Sequence, residues 1–114
     1  MQVMYAVKAQ AIDLAACSFD EYGFLIDTEV WTRQLAWQLA ATEGIDALTQ
    51  DHFRVISFIR HKYLMLNVLP PMRHVCRQLG VNQTQVKDLF GSCKRLWRIS
   101  GLPYPGAEAM AYMS

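Results

Sequence analysis

Apolar residues recur at helical spacing along most of the chain and alternate only near its start. Val3, Tyr5 and Val7 in QVMYAVK fall on one side of an extended segment, and GFLID, residues 23–27, suits the return of a hairpin or a loop. Trp31, Leu35 and Leu39 then follow at i, i+4 and i+8, with Asp27 or Thr28 as N-cap and Gly44 as stop. Trp37 lies off that line and must widen the stripe or face another layer. Thr49 opens a second helix with a broad apolar face, Phe53, Ile56 and Tyr63 on one line and Val55, Ile59 and Leu66 on the next, the pattern of a central helix. Pro70 and Pro71 close the approach to a third, where Pro71 suits the first turn, Met72, Val75, Cys76 and Leu79 face inward, and Gly80 ends the run. Asn82 caps a fourth helix with Val86, Leu89 and Phe90 inward, and residues 92–99 form a last helical piece. The pattern predicts a mainly α domain with a small β element at its N-terminus.

The stretch ISGLPYPGAEAMAYMS, residues 99–114, breaks the pattern. Gly101 is permissive, Pro103 and Pro105 each fix a backbone angle and remove a donor, and Leu102 and Tyr104, each before a proline, are pushed toward extended conformations. The chain therefore divides into a helical body, residues 1–100, and a stiff arm, residues 101–114. The arm either docks on a partner or packs on its own body, with Leu102 and Tyr104 in a surface groove.

A length of 114 residues gives one domain with a core that needs no staples. The 53% apolar and 18% charged fractions argue against disorder, and no apolar run approaches a membrane span. The start MQVMYAVKAQ lacks the basic opening and long apolar centre of a signal peptide, so a cytoplasmic protein is expected. Net charge is +1, yet residues 1–51 carry −6 and residues 52–114 carry +7. Pairing of these charges within the domain accounts for the asymmetry, and a basic face is the alternative.

Candidate chemistry is sparse. Cys17, Cys76 and Cys93 are odd in number and widely spaced, and His52, His61 and His74 form no i, i+4 pair, so neither a disulfide scaffold nor a metal site is expected. No phosphate loop, nucleophile elbow or zinc-protease motif occurs, so motifs alone indicate neither an enzyme nor a cofactor. In VCRQLGVNQTQVKDLF, Cys76 and Val86 flank Gly80 at the spacing of a helix-turn-helix. On that reading Gln83, Thr84, Gln85 and Lys87 face a DNA groove, and Arg73, Arg77, Lys94, Arg95 and Arg98 meet phosphates. The plainer alternative is two packed helices joined by a glycine turn. Cys76 sits on an inward face, where a thiol packs as a hydrophobe. Cys93 sits near a helix start and is followed by Lys94 and Arg95, features that lower a thiol pKa, so it is the reactive-thiol candidate, with an ordinary half-exposed cysteine as the alternative.

The pieces GFLID, W…LA…EGI, LT…H…V…F.R..Y, PP.R and I.GLP.P, in that order across residues 20–105, resemble the DsrC/TusE family. That family comprises the gamma subunit of dissimilatory sulfite reductase and sulfur-relay proteins of tRNA thiolation. The resemblance implies a compact orthogonal helical bundle with helix-turn-helix character, a small N-terminal β-hairpin and a mobile, extended C-terminal arm. In the family the arm delivers sulfur bound to a penultimate cysteine, and an upstream cysteine resolves it in some members. Here Arg98, Ile99, Ser100, Gly101, Leu102, Pro103 and Pro105 fill matching positions, Tyr104 replaces the usual lysine, and the two cysteine positions fall on Trp97 and Glu108. Neither side chain can accept a sulfane sulfur.

The resemblance therefore implies a non-catalytic, partner-binding or regulatory relative of the sulfur carriers. Its arm residues Arg98, Ile99, Gly101, Leu102, Pro103, Tyr104 and Pro105 would engage proteins of sulfur metabolism: a sulfurtransferase, or a sulfite reductase-like or heterodisulfide reductase-like complex. The alternatives are a sulfur carrier using Cys93 as persulfide site, and a DNA-binding regulator.

Overall fold

Side-chain caps set where four of the helices described below begin. A computed structural model of the chain describes residues 17–113. Its helices are α1 (Arg33–Thr42), α2 (Gln50–Leu66), α3 (Met72–Leu79), α4 (Gln83–Phe90), α5 (Cys93–Ile99) and α6 (Ala107–Ala111). Asn82 caps α4 as expected, and Thr49 and Ser92, expected as the first residues of their helices, are the N-caps of α2 and α5. Gly80, in the left-handed conformation at φ 71°, closes α3. Pro71 stands one place earlier than expected, as the N-cap of α3.

The first helix begins later than its apolar stripe suggests. Asp27 caps only a 3-10 turn, Thr28–Val30, by accepting from the Glu29 amide. Trp31 is extended, and Thr32 then caps α1 by accepting from the Leu35 amide at 3.0 Å. Trp31 is therefore not part of the helical line that Leu35 and Leu39 continue. Trp37, off that line, is 38% exposed.

The expected strand over residues 2–8 lies outside the described residues. From GFLID the structure forms one antiparallel bridge, Phe19 with Leu25, around a turn in which Asp20 accepts from the amides of Tyr22 and Phe24, both at 2.9 Å. No longer strand occurs among the described residues.

α2 lies against α3 and α4, α4 also meets α3 and α5, and α1 packs on α5. Phe24, Leu35, Ile56, Ile59, Val75, Phe90, Leu96 and Trp97 form the centre of one core. The inward faces are less complete than expected: Leu66 is exposed, and Tyr63, Met72, Leu79 and Leu89 are only half-buried. His52 is buried and braces the core. Its Nδ1 accepts from the Thr49 amide at 2.9 Å, so the proton sits on Nε2, which donates to the Leu89 carbonyl at 2.8 Å.

The C-terminal segment has no helix or strand over residues 102–105, where its prolines exclude a helix, but it does not leave the body. Leu102 is fully buried, α6 follows, and Met113 returns to the core. The Lys94 amide donates to the Met113 carbonyl at 3.0 Å. The apolar side chains of the tail are the physical reason: Leu102 and Met113 gain burial by folding back.

Candidate functional site

α5 and the tail together carry most of the residues singled out from the sequence. Ser92 starts α5, so Cys93 occupies its first turn and Leu96, Trp97 and Ile99 turn inward. Trp97 is buried against the edge of Tyr63, with ring centroids 5.6 Å apart. Its indole N–H donates to the Pro103 carbonyl at 2.6 Å and so ties the tail to the helix it leaves. Tyr104 stacks on Tyr22 with centroids 4.5 Å apart and planes 16° off parallel. The Tyr22 phenol is pushed above its ordinary pKa, first by the negative charge of Glu21 and then by Tyr104. Ile99, Gly101 and Leu102 are interior, whereas Pro103, Tyr104 and Pro105 are half-buried and form the outer edge of the segment.

A second cluster fixes the turn before the tail. The Arg60 guanidinium lies 4.1 Å from the centre of the Trp31 ring and donates to the Ser100 carbonyl at 2.8 Å and to the Thr28 hydroxyl at 3.0 Å. Burial lowers its pKa. Gly101 has φ +67°, and a side chain there would meet the Trp31 ring. Arg60 stood in the sequence only as the arginine of the F.R..Y piece and Trp31 only as the start of an apolar stripe, and the role of each was illegible because it depends on contacts far along the chain.

Cys93 differs from expectation. Its pKa is raised, first by burial and then by the nearby Cys76 thiol, and Lys87 opposes the shift. Lys94 and Arg95 follow it in sequence but are not the cations that influence it, since adjacent positions on a helix point in different directions. Arg95 and Arg98 instead pair with Glu43, at 3.6 Å and 3.2 Å. Cys76 is buried, and burial raises its pKa.

Two cavities meet at Cys93. One, of about 250 Å³, is apolar and is walled by Ile59, Leu69, Pro70, Leu96, Trp97 and Met113 among others. The other, of about 280 Å³, is lined by Gln83, Thr84, Lys87 and Ser92. Met72, Cys93 and Tyr112 line both. The structure thus gathers Gln83, Thr84 and Lys87 with Cys93. The Gln85 side chain is engaged in the capping box with Asn82, while Arg73 and Arg77 are exposed on α3. Among the described residues no three of His, Cys, Asp and Glu come together as a metal site, and no helix is long and apolar enough to cross a membrane.

The molecule is a small helical domain whose tail folds back past the start of its last body helix. Residues 11–107 match the family model described as DsrC like protein, and the chain belongs to that family. It is 34% identical over 97 residues to sulfurtransferase TusE of Salmonella choleraesuis, covering 77% of this chain and 88% of that protein. It is 35% identical over 95 residues to sulfurtransferase TusE of Pectobacterium atrosepticum, covering 75% and 86%. Among solved structures, dissimilatory sulfite reductase I (DsrI) superposes with a TM-score of 0.74 at 27% identity, over 80% of this chain and 89% of the other. The oxidized gamma-subunit of the dissimilatory sulfite reductase (DsrC) from Archaeoglobus fulgidus gives 0.70 at 30% identity, over 80% and 90%.

Proposed function

We propose that this chain acts in sulfur metabolism as a DsrC/TusE-like protein that docks on the partners of sulfur carriers without holding transferable sulfur on residues 98–114. The observation that carries this reading is the chemistry of that segment. It contains no cysteine, and Trp97 and Glu108 stand where the resemblance places the carrier thiols. A persulfide cannot form on an indole or a carboxylate. The docking edge is then Pro103, Tyr104 and Pro105, with Arg98 at its base. Its partners are a sulfurtransferase or a sulfite reductase-like or heterodisulfide reductase-like complex. Peptide mass spectrometry after incubation with a sulfurtransferase and a sulfane-sulfur donor should find no added sulfur on residues 98–114. Tyr104→Ala should weaken capture of the partner. Sulfur on that segment would overturn the reading.

A second reading keeps sulfur transfer and moves it to Cys93, the half-exposed thiol at the junction of the two cavities. The Cys93 thiolate would attack the terminal sulfur of a donor persulfide, a new S–S bond would form on Cys93, and the donor thiolate would leave. The raised pKa of Cys93 weighs against it, because less of the thiol is ionised at neutral pH. Added sulfur mapped to Cys93, and its loss in Cys93→Ser, would select this reading over the first.

A further inference from the structure

We propose that the two cavities at Cys93 form one binding site for a small amphipathic anion, an unbranched apolar chain ending in a carboxylate. The inference goes beyond the sulfur-metabolism reading and does not depend on it.

The division of the site is its main argument. The wall of the 250 Å³ cavity is mostly apolar side chains, with the Cys93 thiol and the Tyr112 phenol beside them, and no charged residue lines it. Water there would find few partners, whereas a hydrocarbon chain would match the wall. The adjoining 280 Å³ cavity is lined by Gln83, Thr84, Ser92 and Lys87 and by no acid. Three amide or hydroxyl side chains and one ammonium suit a carboxylate head. Because Met72, Cys93 and Tyr112 line both spaces, a single flexible molecule can cross from one to the other past the thiol. Together the cavities fall within the ~300–1,000 Å³ usual for small-molecule sites. Tyr112 is 81% exposed, so a solvent-facing ring flanks both compartments.

Octanoate is the probe, with 1-octanol as its uncharged counterpart. Iodoacetamide labelling of the full chain, followed by peptide mass spectrometry of the Cys93 peptide, reads occupancy at the junction, and tryptophan fluorescence, to which Trp97 of the apolar wall contributes beside Trp31 and Trp37, is a second readout. Octanoate should protect Cys93 from labelling and shift the fluorescence, with about threefold tighter binding than 1-octanol, the size expected of one exposed charge contact. Lys87→Gln, at an exposed position outside the core, should remove that difference while leaving 1-octanol binding unchanged. Ala109 of α6 also lines the apolar cavity, and Ala109→Phe, which fills that space, should abolish protection by both. The proposal is overturned if millimolar octanoate leaves Cys93 labelling unchanged, if octanoate and 1-octanol bind wild type equally, or if folded Ala109→Phe is protected like wild type.

Discussion

The indole N–H of Trp31 donates to the Ile99 carbonyl across 2.8 Å, joining residues 68 positions apart. This contact explains why the first helix starts late. Trp31 is held by the end of α5 rather than by its own neighbours, and Arg60 stacks on its ring. Gly101 completes the arrangement, because its φ of +67° and the ring beside it exclude a side chain.

Gly101→Ala should therefore destabilise the protein by ~2–3 kcal/mol, combining left-handed strain with displacement of the Trp31 ring. Urea unfolding followed by circular dichroism measures the loss. A midpoint equal to that of wild type would contradict the contact.

Trp97→Phe removes the hydrogen bond to Pro103 while keeping most of the ring. The expected cost is ~1–2 kcal/mol, since the Pro103 carbonyl loses a close donor. Hydrogen exchange should speed up at the Leu102 and Met113 amides more than in α2. Uniform acceleration throughout the chain would mean that the bond does not specifically hold the tail.

Cys93 should react slowly with iodoacetamide at neutral pH. Burial raises its pKa, so the thiolate fraction at pH 7 lies below that of an ordinary cysteine, and the rate should climb only as pH rises past the usual thiol range. Lys87→Gln removes the cation that opposes this shift and should push the midpoint further up. A labelling midpoint at or below that of a cysteine peptide would refute the assignment.

His52→Ala should cost ~2–4 kcal/mol, by leaving a cavity and stranding the Thr49 amide and the Leu89 carbonyl. Thermal melts of the variant would show it. A change within the range of surface substitutions would remove His52 from the core brace.

Most of the helical body was legible because its punctuation is local. Thr49, Asn82, Ser92 and Gly80 act on amides and carbonyls within a turn of themselves, so their roles can be read without a fold. Trp31 was misplaced for the opposite reason: its helical spacing to Leu35 is real, but a partner 68 residues away sets its backbone. The tail was half legible. Pro103 and Pro105 favour an extended backbone but not its direction, and α6 begins just after Gly106 with no side-chain cap to announce it. At Cys93 the sequence suggested Lys94 and Arg95 as neighbours, whereas packing supplies burial, Cys76 and Lys87. The cavities beside it were not legible, since Met72, Tyr112 and Met113 meet only once the tail has folded back.

The stacked rings of Tyr22 and Tyr104 close the chain into a loop that encloses nearly every helix. The entropy of closing so long a loop grows only slowly with its length, so a single aromatic clasp at its ends is an economical fastening. Opening it exposes the first described turn and the outer edge of residues 103–105 together, while the Trp97–Pro103 hydrogen bond still holds the tail. These two stretches should therefore loosen and re-form together, although no peptide bond connects them.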